Sequence, residues 1–221
     1  MARNFVAANN DFIEVGDIAA LDITGDQVTL SAWVRIASKT DEMKMLAKWS
    51  DSAGAFSYLL SSDAVGNDKV LFAVRTSSQV STSGTTSMVV GQWHHLAGVY
   101  DGSDIRAYLD GIEENSAAAS GNIPLNTAPV RIGMGSGAVG EEPMDGDIGH
   151  CAIYDASLTP GEIASLAAGI SPLQIRADNL LFYAPLNGQN PEYDVIGGLD
   201  LTVTGATKEE EPPIPNSIVA P

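Results

Sequence analysis

Short runs rich in Val, Ile, Tyr, Phe and Trp recur about every ten residues, separated by clusters of Gly, Asp, Asn and Ser. Runs of this length and spacing suit strands of a sandwich or barrel, and helical periodicity is nearly absent. Strands are expected over 12–15, 28–36, 43–49, 56–62, 69–75, 86–90, 93–100, 104–110, 130–133, 148–154, 180–186 and 199–203. The alternation is clearest in 28–36, which puts Val28, Leu30, Ala32, Val34 and Ile36 on one face and Thr29, Ser31, Trp33 and Arg35 on the other. Trp33 is expected to cover core at a sheet edge or between layers, and Trp33 and Trp93 to be mostly buried. Asp101-Gly102 and Asp110-Gly111 supply the positive φ that tight hairpins need, so two successive hairpins are expected there. One helix is predicted, with Thr159 as N-cap, Pro160 at the first position, Glu162 completing a capping box and Gly169 as the stop.

The fold class implied is all-β: a two-sheet antiparallel jelly-roll sandwich with one short helix. A chain of 221 residues can bury such a core without disulfides, and Cys151 is the only cysteine. The domain is expected over 1–206. Residues 207–221 carry Glu209, Glu210, Glu211 and four prolines, and read as an acidic Pro-rich tail. That tail is expected to lie as an extended arm on an adjacent subunit rather than on its own sandwich. Its partner-binding residues would be Pro212, Pro213, Ile214, Pro215, Ile218 and Val219; a disordered solubilising tail is the competing view. No apolar run reaches the roughly 18 residues of a membrane span, and no signal peptide is recognised. A formal charge of −17 disfavours nucleic acid and anionic membranes as partners.

Four stretches, VTLSAWVRI (28–36), MLAKW (45–49), WHHLAGVYDGSDIRAYLDG (93–111) and GDIGHCAIYDASLTPGEIASL (146–166), follow one another in an order that resembles the laminin-G-like jelly-roll family of concanavalin A-like lectins and glucanases. The resemblance runs from about Phe12 to Gly169. It implies two antiparallel sheets and a use in recognising sugars or proteins. Where relatives often carry an acid after Gly-x-Ile, this chain has Gly149 followed by His150, which puts a family-type calcium site in doubt.

Candidate sites follow from residue chemistry. Gly135, Gly137 and Gly140 match G-x-G-x-x-G, but Glu141, Glu142 and Pro143 follow instead of a helix, so a hairpin loop is expected. Glucanase chemistry needs two carboxylates about 5–5.5 Å apart. Glu192 and Asp194 have the spacing of neighbours on one strand face, but they sit in a Gly/Asn/Pro-rich connection without a third acid, so no catalytic residue is assigned and no enzyme is expected. His94 and His95 must face opposite ways on a strand, and with His150 they read as packing and hydrogen-bonding groups. Cys151 reads as an inert core thiol. The only cofactor considered is calcium, held by Glu141, Glu142, Asp145 and Asp147; the pairs Asp22/Asp26 and Asp101/Asp104 are sparser. Trp49, Tyr58 and Tyr193 are the aromatic candidates for stacking on a sugar.

These features favour a non-catalytic binding or structural module, a virion-associated capsid decoration or fibre protein packing on other protein subunits, a second copy of itself among them. Its place would be the virion, or the host cytoplasm before assembly. The alternative is a lectin-like module whose partners are glycans.

Overall fold

In the computed structural model, which describes residues 1–38, 42–51, 53–63 and 68–212, the strands in the first half of the chain are β1 (Ala2–Phe5), β2 (Phe12–Gly16), β3 (Val28–Ile36), β4 (Lys44–Ser50), β5 (Ala55–Ser62), β6 (Lys69–Arg75), β7 (Gln79–Ser87) and β8 (His94–Tyr100). They are followed by β9 (Asp104–Leu109), β10 (Ile112–Ala118), β11 (Val130–Ile132), β12 (Gly146–Tyr154), the helix α1 (Pro160–Ala167), β13 (Leu180–Ala184), β14 (Glu192–Tyr193), β15 (Asp200–Thr204) and β16 (Thr207–Glu209). They form two eight-stranded antiparallel sheets. One runs β10-β9-β8-β3-β12-β1-β16, with β13 also paired to β12; the other runs β14-β15-β2-β11-β4-β5-β6-β7. This is the jelly-roll sandwich expected.

The alternation in β3 sorts its side chains as read: Val28, Leu30, Ala32, Val34 and Ile36 enter the core between the sheets, facing Tyr58, Leu60, Phe72 and Val74 of the other sheet. Gly98 in β8 is a glycine because Phe72 from the opposite sheet occupies the place a Cβ would take. Asp110 and Gly111 both adopt left-handed backbone, φ 50° and 82°, and so close β9 onto β10 as a two-residue hairpin. Trp93 lies just before β8 begins and is half-buried, with the Arg35 guanidinium 5.2 Å from its ring centre. The expectation of a buried Trp93 is corrected accordingly, whereas Trp33 is 8% exposed.

The C-terminal boundary also moves. Thr207–Glu209 pair in register with Ala2–Asn4, so β16 completes the sandwich of its own chain. Pro212 is buried, and its ring lies where a Cβ on Gly149 would touch it. For residues 207–212 the extended arm on a neighbour is therefore replaced by a strand and its continuation in cis. The remaining arm residues, Pro213, Ile214, Pro215, Ile218 and Val219, lie outside the described residues.

Two local features of the first sheet shape its outer face. In β12, Gly149 pairs with Trp33 and Ala152 with Ser31, so His150 and Cys151 together stand opposite the single residue Ala32. This is a β-bulge, and His150 adopts φ 52° within it. At the same point the far edge of β12 changes partner, from β1 along Gly146–Ile148 to β13 along Cys151–Tyr154.

Candidate functional site

The outer face of the first sheet is covered in part by α1. The Thr159 hydroxyl accepts from the Glu162 amide and the Glu162 carboxylate from the Thr159 amide, a complete capping box that fixes where the helix starts. Ile163 and Leu166 are buried against Ala97, Val99, Tyr108, Ala152 and Tyr154. Gly169, at φ 88°, ends the helix, and the chain then runs over the sheet through Ile170–Leu173.

Between this crossing and the sheet lies a cavity of about 300 Å³, at the lower end of the range for small-molecule sites. Ser31, Trp33 and His95 of β3 and β8 contribute to one side, with His150 from the bulge. Leu166, Ile170, Pro172 and Leu173 form an apolar wall, and Asn187 and Tyr193 close the remaining side. Among the described residues no Asp, Glu, Lys or Arg lines it.

The wall carrying Asn187 and Tyr193 is held by buried charge. Glu192, 1% exposed, accepts from Arg3 Nε at 2.7 Å and from the amides of Asn187 and Gly188 at 3.0 and 2.7 Å. Asp194 accepts from the amides of Tyr183 at 2.9 Å and Ile196 at 3.1 Å. The two acids with glucanase-like spacing thus have their oxygens engaged in shaping the pocket wall.

Both histidines in the pocket are kept neutral. Burial pulls His95 down to about 4, against a smaller opposing pull from Asp110. It pulls His150 down to about 4 as well, reinforced by the N-terminal amine and opposed by Glu211. His95 Nε2 lies 2.9 Å from Ser31 Oγ, and its Nδ1 has no hydrogen-bond partner among the described residues. A nucleophile–base pair would require an acid on Nδ1 and a base that protonates near neutrality, and His95 has neither. His150 Nδ1 lies 2.7 Å from the Tyr183 hydroxyl. Burial raises the Tyr183 pKa and keeps the phenol protonated, so the phenol and the imidazole share one hydrogen bond across this contact. The Glu211 carboxylate lies 3.9 Å from Nε2.

Unfolded imidazoles titrate near 6.5 and these two near 4, so between those values the unfolded chain binds more protons and stability falls as pH drops. The expected loss from pH 7 to 4 is roughly 3 kcal/mol per imidazole. Urea midpoints across this range test it: His95→Gln should flatten the profile, and a flat wild-type profile would contradict the burial assigned to both rings.

Several sequence-derived candidates fall elsewhere. Trp49 is 1% exposed on the outer face of the second sheet, packed on Phe56 with ring centres 4.7 Å apart and crossed by the loop at Ser136. Tyr58 is fully buried between the sheets with its hydroxyl on the Leu21 carbonyl at 3.0 Å. Neither ring can stack on a sugar, while Tyr193 lines the cavity half-buried. The four acids assigned to calcium are separately engaged. Glu141 accepts from the Gly137 amide at 3.0 Å, Glu142 pairs with buried Lys44, Asp145 accepts from Ser38 Oγ at 2.6 Å, and Asp147 pairs with Arg35 at 2.6 Å. Among the described residues no three His, Cys, Asp or Glu converge as a metal site would need. Cys151 points into the core, where burial raises its thiol pKa.

The pocket residues that sequence reasoning passed over are Ser31, Trp33, His95, Tyr183 and Asn187. Alternation already put Ser31 and Trp33 off the core face, and His150 after Gly149 was visible as a departure from the family pattern.

A family model described as the concanavalin A-like lectin/glucanases superfamily matches residues 7–164. Among solved structures, a Bacteroides ovatus protein provisionally described as carbohydrate-binding is 17% identical over 93% of this chain, with a TM-score of 0.73; the chain spans 58% of that protein's length. The CBM40 of a Ruminococcus gnavus sialidase, bound to α2,3-sialyllactose, has a TM-score of 0.55 at 13% identity, over 65% of this chain and 84% of its own. Tailspike protein 2 of the Escherichia coli O157:H7 bacteriophage CAB120 has a TM-score of 0.60 at 14% identity, over 84% of this chain and 26% of its own. At these identities the likeness is one of fold. No curated protein sequence matches the chain significantly.

Proposed function

The chain belongs to the concanavalin A-like lectin/glucanase superfamily, and from that premise we propose that it binds a carbohydrate without transforming it, in the pocket between the first sheet and the Leu166–Leu173 segment. The observation that carries this reading is the lining itself. Neutral imidazoles, two serine hydroxyls, an amide and two phenols surround a cavity with aromatic rings and an apolar wall, and sugars present hydroxyl edges and C–H faces to match. The engaged state of Glu192 and Asp194 and the absence of an acid on His95 Nδ1 support binding over hydrolysis.

The sequence alone favours an assembly subunit and ranks glycans second; the pocket, and the packing of the described part of the tail on its own sandwich, support the opposite order. A module of a phage particle is the second reading, favoured by the tailspike likeness, and co-sedimentation with particles would test it.

The first reading is tested on a glycan array with wild type and Tyr193→Ala. Wild type is expected to bind uncharged glycans in the presence of EDTA, and the variant at least tenfold more weakly, since sugar-facing rings of this kind carry much of the contact area. Binding abolished by EDTA, or unaltered in the variant, would move the site elsewhere.

A further inference from the structure

We propose that the pocket selects an uncharged sugar bearing an acetamido group, an N-acetylhexosamine, over both the parent hexose and acidic sugars. This rests on the carbohydrate-binding reading and specifies it. The first observation is charge. No Lys or Arg lines the cavity among the described residues, so a carboxylate entering it would lose water without gaining a cation. The charged side chain beside the His150 ring is an acid, Glu211, 3.9 Å from Nε2 and itself 3.3 Å from the N-terminal amine. The chain as a whole carries −17.

The second observation is that the lining mixes polar and apolar groups. His95, His150, Ser31 and Asn187 bring polar atoms, and the crossing segment brings Leu166, Ile170, Pro172 and Leu173, with Ser171 among them. Ile170 and Leu173 remain 42% and 44% exposed, so the wall has apolar surface left to cover. A plain hexose meets that wall with its C–H face alone. An acetamido substituent offers a methyl group for the wall together with a carbonyl acceptor and an N–H donor for the polar atoms.

The third observation is a buried polar atom left for the acetamido group to meet. His150 is 9% exposed, and its Nε2 has no hydrogen-bond partner among the described residues. The left-handed backbone of the bulge aims this ring to the pocket side of β12, whereas Cys151 beside it turns into the core. A buried imidazole nitrogen without a partner is costly, and an acetamido group, with both a carbonyl acceptor and an N–H donor, supplies one in either tautomer. In a site of this kind the N-acetylhexosamine is expected to bind about tenfold or more tightly than the hexose.

The test is calorimetric titration of the full chain with N-acetyl-D-glucosamine, N-acetyl-D-galactosamine, D-glucose, D-galactose and D-glucuronic acid, for wild type and Leu173→Ser. Leu173 is exposed, so the variant is expected to fold. The expected result is tenfold or greater preference for one N-acetylhexosamine over its parent hexose, no binding of glucuronic acid, and a preference reduced at least threefold in Leu173→Ser. Equal affinity for hexose and N-acetylhexosamine, tighter binding of glucuronic acid, or a preference untouched in Leu173→Ser would overturn the inference and leave the carbohydrate reading in place. If none of the five sugars binds and the glycan array is also blank, both fail.

Discussion

Glu192→Ala is expected to destabilise the fold by about 3–5 kcal/mol, the cost of leaving one partner of a buried ion pair alone. Arg3 and Glu192 have side chains 6% and 1% exposed, and they join the first strand of the chain to β14 near its other end. The same carboxylate also accepts two backbone amides, which would be left without an acceptor. Arg3 keeps bonds to the carbonyls of Ala206 and Gln189, so the fold should weaken rather than vanish. Because the amide of Asn187 is one of the two released, sugar binding should fall with stability in this variant. Pairing Glu192→Leu with Arg3→Met is expected to recover much of the stability, since it removes the stranded charge. Urea unfolding measures both; a loss under about 1 kcal/mol for Glu192→Ala would mean the pair is solvated and the wall is held by other contacts.

His150→Gly should separate function from stability. The histidine adopts φ 52°, which glycine tolerates without strain, so relief of backbone strain offsets the lost contact with Tyr183 and stability should stay within about 1 kcal/mol of wild type. Affinity for the sugar is expected to fall ten- to a hundredfold, because the imidazole whose Nε2 is left for the ligand is gone. A variant that binds as well as wild type would show that the bulge serves only the sheet. One that unfolds would show that the ring is a packing group, as a reading from the sequence alone would have it.

Particular residues show where the sequence is informative. The β3 alternation and the Thr159–Glu162 capping box are local patterns, and both are realised as written. β10 and β7 escape such a reading because they are edge strands rich in Ser, Thr and Glu: β10 is largely exposed, and the covered face of β7, Val80, Thr82 and Gly84, is too polar to show an apolar alternation. β1, β14 and β16 are too short to leave a pattern, and their places depend on pairing between distant parts of the chain or across short connections. Trp49 is misplaced for a different reason. Register shifts at Lys44/Leu46 and Lys48/Trp49 interrupt the two-residue period of β4, so the parity that locates Trp33 does not carry through to Trp49. The site is half legible. Ser31 and Trp33 can be put off the core face, but nothing in their own stretch says that residues 166–173 fold back to roof a cavity over them, because that depends on a helix anchored more than a hundred positions away.

The most direct test of the account is a ¹⁵N-labelled titration of the full chain with N-acetyl-D-glucosamine or whichever sugar of the array binds best, following backbone amides and histidine side chains by NMR. The prediction is that perturbed signals gather at Ser31, Trp33, His95, His150, Asn187 and Tyr193, with the His150 ring nitrogens among the largest shifts. Shifts that gather instead on the outer face of the second sheet, around Trp49, Leu59 and Ala73, would contradict it and place the binding surface on the other side of the sandwich.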